Sequence, residues 1–263
     1  ARDHTAAALP VGPPTASSID STASRDAALD YTYALSMIAM TLSRFAEQWI
    51  IYASTEFGFV TIDSRYTTGS SMMPQKQNPD MLELIRGRTG NVYGGLVALL
   101  TMCKGITVGY NRDLQEDKRH VFAAHDCVID CLDMAARIAR SAKFNENRIA
   151  EGLDRGFLDA TSLADYLVTR GVPFRTAHQI VGAAVRLCGE RGVGRLSDLS
   201  VADLNDLCIQ AGVHDGACDD DVFDWLGAAN VVKRYRTAGN AGLHGFEAQL
   251  DEWVKRLVGS SEA

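Results

Sequence analysis

The chain has 263 residues, 46% of them hydrophobic, with a formal net charge of −7 and a pI near 5.4. That length supplies one large domain or two smaller ones with ample material for a core, and the acidic balance argues against a nucleic-acid or anionic-membrane partner. No apolar run reaches the roughly 18–20 residues of a membrane span, and no basic-then-apolar secretory pattern opens the chain.

Residues 1–16 are rich in Ala, Pro and Gly and are expected to lack regular structure. From about Asp20 to Ala53, Leu35, Ile38, Leu42, Phe45, Trp49 and Tyr52 recur at steps of three and four, which predicts a long helix with Ser24 as its cap. Ala34, Met37 and Met40 widen its apolar stripe, so burial on more than one side is expected. A second long helix is predicted from Pro79 to about Lys104. A third, from about Leu114 to Ala142, carries Val121, Ala124, Val128, Cys131, Leu132, Ala135 and Ile138. Helices of that length suggest a bundle.

After Phe144 the predicted helices shorten: Ile149–Leu153, Thr161–Arg170, Arg175–Arg191, Val201–Gly212 and Gly245–Val258. Gly171-Val172-Pro173 reads as a stop and restart. Almost nothing reads as strand. The fold class expected is all-α, with a helical-bundle region at 1–150 and a smaller C-terminal helical domain at 151–263. The six cysteines contain no CxxC pair. Cys127 and Cys131, four apart on a helix, read as core neighbours rather than metal ligands, and the compartment expected is the reducing cytoplasm. The histidines match no metal spacing, and Asp219-Asp220-Asp221 reads as a solvated acidic turn rather than a cation site.

The chemistry is sought in the loops, above all in GSSMMPQKQNPD at Gly69–Asp80. Gly69 offers backbone freedom and Pro74 stops a continuing helix. Asn78-Pro79 resembles a helix start, with Asn78 as N-cap and Pro79 at the first helical position. Ser70, Lys76 and Asn78 are then expected together at a helix N-terminus, a place suited to a carboxylate or a developing anion. The competing reading is an ordinary surface turn before a capped helix.

The same loop resembles the GSSxMPxKxNP signature of the fumarase/aspartase superfamily. STEFGFV at Ser54–Val60, ELIRGRTG at Glu83–Gly90 and YNRDLQEDK at Tyr110–Lys118 are similar to argininosuccinate lyases. Weaker matches run from SSIDSTASRD (Ser17–Asp26) to LADYLVTRGVPFRTAH (Leu163–His178), and the resemblance fades after about Gly194. It implies an elimination that releases fumarate, within arginine biosynthesis and without cofactor or metal. A base must then remove a weakly acidic proton beside a carboxylate, and the resulting anion must be stabilised. By resemblance Ser70 is the base on a mobile lid whose apolar underside is Met72-Met73. Lys76 and Asn78 hold the substrate carboxylate, and Glu83 orients a histidine. Arg25, Tyr110, Gln115 and Lys118 bind substrate. For Tyr110–Lys118 a solvated charged face, and for Arg25 a surface position, remain the alternatives.

Sites of this family are assembled at the corners of a tetramer from three segments of three subunits, and only the third segment is recognised here. The chain opens without Met in what resembles the middle of the family's fold. The expectation is a processed piece, or an assembly with a second chain that supplies an arginine-bearing and a histidine-bearing segment. Gln77 in place of a second lysine, Ser162 where an acidic residue is usual, and TAGNAGLHG (Thr237–Gly245) in place of a Gly-Gly-Thr pattern depart from argininosuccinate lyases. They leave room for a relative that cleaves another N-substituted aspartate. The rival expectation is a non-catalytic structural or regulatory subunit that keeps the bundle.

Overall fold

A computed structural model describes residues 2–10, 12–153 and 156–259; positions 1, 11, 154, 155 and 260–263, at the edges of the expected terminal segment and C-terminal domain, lie outside the described residues. Eleven α-helices are present among the described residues: α1 (Arg2–Ala7), α2 (Ser18–Ala23), α3 (Asp26–Ala53), α4 (Asp80–Cys103), α5 (Asp117–Ser141), α6 (Glu146–Leu153), α7 (Ala160–Thr169), α8 (Phe174–Arg191), α9 (Val201–Gln210), α10 (Ala228–Arg234) and α11 (Leu243–Gly259). Among the described residues strand is confined to four two-residue pieces: β1 (Val60–Thr61), β2 (Thr68–Gly69), β3 (Gln77–Asn78) and β4 (Lys143–Phe144). The fold is all-α. Two compact units divide between Asn145 and Glu146, slightly before the expected boundary near 150.

In the first unit, α3, α4 and α5 pack pairwise. Leu35, Ala39, Val92, Ala124 and Val128 form one buried cluster, and Ala46, Leu82, Ile85, Cys131, Ala135 and Ile138 form another. Thr89, buried on α4, donates its hydroxyl to the Ala39 carbonyl on α3 at 3.1 Å. Arg86 pairs with Glu47, and Gly95 on α4 faces the His120 backbone of α5. At the other end of α3, Arg25 pairs with Asp117 at the start of α5. These contacts set the directions: α3 and α5 run parallel, with α4 antiparallel to both. β1 pairs with β4 (Val60 with Phe144, Thr61 with Lys143), tying the chain after α3 to the chain after α5.

The second unit buries Leu163, Tyr166, Leu167, Ile180, Ala184, Leu196, Leu204 and Val222 in one core. Arg170 pairs with Asp219 at 2.9 Å and Asp221 at 2.8 Å, so two carboxylates of the acidic turn are joined to an arginine. After α7, Gly171 adopts φ +86°, which an L side chain rarely adopts, and Val172 donates back to the Leu167 carbonyl at 3.0 Å.

Three sequence-based expectations are corrected. The terminal segment expected to be irregular contains α1, a six-residue helix that buries none of its residues. The helix expected from Asp20 breaks after α2. Ser17 caps α2 by accepting from Asp20 N–H, while the Ser24 hydroxyl accepts from Asp26 N–H at the start of α3. The third long helix begins with a 3₁₀ turn over Arg112–Glu116, and α5 starts only at Asp117.

Candidate active site

The Gly69–Asp80 loop is a hairpin. β2 and β3 are antiparallel, with Thr68 opposite Asn78 and Gly69 opposite Gln77. Asn78 is therefore a strand residue rather than the expected N-cap. α4 begins at Asp80 behind Pro79, which provides no side-chain cap. The freedom expected of Gly69 is not used either: its φ is not positive, and a Cβ there would meet nothing within 4 Å.

The ladder organises the polar residues differently. Side chains alternate along a strand, and directly opposed residues share a face. Asn78 shares a face with Thr68 across the rung. Ser70 follows β2 and Lys76 precedes β3, both outside the two rungs. The hairpin thus carries Ser70, Lys76 and Asn78 in one short loop before α4.

Within the loop, the Ser70 Oγ accepts from two backbone N–H groups, those of Met72 and Met73, each at 3.2 Å. Lys76 N–H donates to the Met73 carbonyl at 3.0 Å and closes the turn. The Asn78 amide donates to the Thr68 carbonyl at 3.3 Å. Met72 is 86% exposed and Met73 40% exposed, so neither is packed beneath the loop. Beside the hairpin lies a cleft of about 700 Å³, whose walls include Ser54, Thr55, Gly58, Met73, Lys76 and Glu83. Glu83, in the first turn of α4, faces this cleft. Asp63, just before the hairpin, is held at a pKa of about 2 by hydrogen bonds from the Arg65 side chain and backbone.

The second group lies at the other end of the bundle. Tyr110 and Lys118 are exposed, and Gln115 sits exposed in the 3₁₀ turn. Arg25, expected to contact substrate, turns inward: its Nε lies 2.6 Å from Asp117, its Nη1 donates to the Thr22 and Ser24 carbonyls, and its Nη2 donates to the Leu114 carbonyl. Lys118 Nζ lies 2.7 Å from the other oxygen of Asp117. Burial opposes charge on Asp117, but the hydrogen bonds from Lys118 and the charge of Arg25 outweigh it and hold the carboxyl below its usual range. Asp117 was missed in the sequence because an Asp amid QEDKR reads as one more surface charge. Its near-burial, at 7% exposure, is tertiary information. Among the described residues no cluster of three or more His, Cys, Asp or Glu side chains could hold a metal.

The groups cannot meet within one chain. Helices of 24–28 residues, at 1.5 Å per residue, separate the ends of α3 and α4 by about 36–42 Å. The hairpin sits where α4 begins, and the Tyr110–Lys118 segment sits where α3 and α5 begin.

Residues 4–94 match a family model described as Lyase, and residues 157–233 match one described as Argininosuccinate lyase C-terminal. The chloroplastic argininosuccinate lyase of Arabidopsis thaliana is 42% identical over 97% of this chain and 48% of its own length. The argininosuccinate lyase of Rhodopirellula baltica is 40% identical over 97% of this chain and 54% of its own. The chain belongs to the argininosuccinate lyase family. It spans about half the length of the curated relatives of that family that it matches. EDDS lyase in complex with formate superposes with a TM-score of 0.82 at 25% identity, covering all of this chain and 52% of that one. A class II fumarase from Schistosoma mansoni, with a TM-score of 0.61 at 17% identity over 78% of this chain and 40% of that one, shares the fold. Within the family match, the model over 4–94 contains the whole hairpin, while the Tyr110–Lys118 segment falls between the two models.

Proposed function

We propose that this chain supplies part of the active site of a carbon–nitrogen lyase that eliminates fumarate from an N-substituted aspartate, converting argininosuccinate to arginine and fumarate. The observation that carries the reading is the Ser70 oxygen, with two backbone N–H groups on it, in a hairpin that also carries Lys76 and Asn78. A hydroxyl that already accepts two N–H bonds has its alkoxide favoured, because each donor strengthens as the oxygen becomes anionic. Ser70 acts as the base and removes the proton from the carbon beside the substrate carboxylate. The electron pair left behind delocalises into that carboxylate, and the Lys76 ammonium and Asn78 amide stabilise the added charge. The pair then returns to form the carbon–carbon double bond as the carbon–nitrogen bond breaks. The nitrogen leaves with the electron pair of the broken bond and takes a proton from solvent, Ser70 later returns its proton to solvent, and fumarate is released.

Tyr110, Gln115 and Lys118 bind substrate from another copy. The separation of the two groups along the bundle supports this, as does the unburied apolar surface of the long helices. Tyr33, Leu84, Val97, Leu100, Phe122 and Ile129 are each at least half exposed. The working form is then an oligomer, tetrameric by analogy with the family, or an assembly with a chain that carries the histidine-bearing segment. Glu83 is placed to orient that histidine from the wall of the cleft. A soluble, cytoplasmic enzyme fits this reading, and no described helix is long and apolar enough to cross a membrane.

The test is Ser70→Ala in the assembled enzyme, followed by the ultraviolet absorbance of fumarate. The substitution should abolish turnover and leave oligomer size and substrate binding intact. Retained turnover would remove Ser70 as the base.

A further inference from the structure

Lys118 has a four-carbon stem and a side chain 58% exposed to solvent. A lysine in that state samples many rotamers, and fixing one costs side-chain entropy. A substrate-binding ammonium therefore gains from a neighbour that holds it before the substrate arrives. Asp117 is such a neighbour. Its side chain is 10% exposed, and its two oxygens are divided between two cations: Oδ1 lies 2.7 Å from Lys118 Nζ and Oδ2 lies 2.6 Å from Arg25 Nε.

Arg25 is immobilised in turn. Its remaining contacts are carbonyls from three places: Thr22 at the end of α2, Ser24 before α3, and Leu114 in the 3₁₀ turn that carries Gln115. A planar guanidinium with donors in fixed directions suits such a cage. Order passes from backbone carbonyls to a buried arginine, from there to a nearly buried carboxylate, and from the carboxylate to one exposed ammonium. Two cations around one carboxylate leave the cluster a net positive charge. One of the three ammonium donors can point to Asp117 while two remain for an anion.

We propose that Asp117 is a positioning residue for substrate binding: held by Arg25, it fixes the Lys118 ammonium where a substrate carboxylate docks. Arg25 acts through Asp117 and does not touch the substrate. The inference rests on the reading of Lys118 as a substrate-binding residue, and it adds a residue and a route that the reading does not contain.

A double-mutant cycle in the assembled enzyme separates the two. Lys118→Ala tests the reading: KM should rise about tenfold with kcat changed less. Asp117→Asn tests the proposal. It should raise KM about fivefold in the native background and less than about twofold when Lys118 is already Ala, because the effect passes through the ammonium. Asp117→Glu keeps the carboxylate but displaces it, and should leave KM about threefold above native. If Lys118→Ala leaves KM unchanged, the substrate-binding role of Lys118 falls, and the proposal falls with it. If Lys118→Ala acts as expected but Asp117→Asn is silent, or raises KM equally in both backgrounds, the proposal alone is overturned. Circular dichroism and thermal unfolding accompany each variant. If Asp117→Asn does not fold, Asp117→Glu enters the cycle in its place. The displaced carboxylate should then raise KM about threefold in the native background only, and an equal rise in both backgrounds overturns the proposal.

Discussion

A serine oxygen in water gains little from a neighbouring amide, because water already supplies its hydrogen bonds. The Ser70 oxygen differs in having two donors fixed by a turn, so they need no reorganisation when charge develops. The same reasoning gives Lys76 its weight. It lies in the same hairpin loop, and in the proposed reaction its ammonium acts on the anion that proton removal creates. Lys76→Met removes that charge while keeping a similar length. A donor of this kind contributes about 3–4 kcal/mol, so kcat should fall about 10²- to 10³-fold with a smaller change in KM. A merely twofold loss in steady-state turnover would contradict the role. Tyr166 in the second unit gives a residue-scale prediction about pH. Its hydroxyl, on a side chain 1% exposed, donates to Asp221 at 2.6 Å and accepts from Asp219 N–H at 3.1 Å. Burial and the bond to Asp221 push its pKa up from 10.0 to about 12. The folded state therefore holds its proton more tightly than the unfolded chain. Its contribution to stability is complete below pH 10 and is lost as pH rises from 10 through 12. Two pKa units correspond to about 2–3 kcal/mol. Unfolding followed from pH 9 to 12 should show a steeper alkaline loss for the native protein than for Tyr166→Phe. Parallel curves would refute the assignment.

Elements show where sequence patterns suffice and where they stop. The long helices were legible because an apolar stripe at steps of three and four can be satisfied only by burying one helical face. Leu35, Ala135 and Ile138 are buried as that pattern requires. Met37 and Ile38 belong to the same widened stripe, yet they are 43% and 38% exposed, because periodicity reports apolar surface and not what covers it. The hairpin was not legible. Its rungs pair residues eight and ten apart, and neither Thr68-Gly69 nor Gln77-Asn78 carries the β-branched alternation that marks a strand. Ser70, Lys76 and Asn78 were picked out by residue type and resemblance, but the hairpin that carries them comes from a register that local propensity cannot show. The carboxylate between Arg25 and Lys118 escaped for a similar reason, since a contact across 92 residues leaves no local trace. α4 connects the helices to the hairpin, and Leu82, fully buried one turn into it, anchors its start. Leu82→Ala should cost about 2–5 kcal/mol, visible as a lower midpoint in urea at an unchanged slope. A loss below 1 kcal/mol would show that the first turn of α4 is not held by this core.

At the scale of the whole molecule, the bundle acts as a ruler. α3 and α5 start at the end where Lys118 lies, and α4 starts at the end that carries Ser70. An ordinary substrate spans roughly 10 Å, far less than the roughly 36 Å of α4. Any site that uses both residues must therefore take them from different copies, and closed symmetry makes each copy contribute one end to one site and the other end to another. Assayed at substrate well below the native KM, two impaired variants then repair one another. Ser70→Ala and Lys118→Ala assemblies, each weakened alone, should regain activity when dissociated, mixed equally and reassembled. A site that draws Ser70 and Lys118 independently from a random mixture has both intact in about one case in four, so recovery should approach a quarter of native activity. If both residues of a site came from one chain, no mixture would contain an intact site. Activity that stays at the level of the separate variants, in mixed oligomers verified by mass spectrometry, would exclude a site shared between copies.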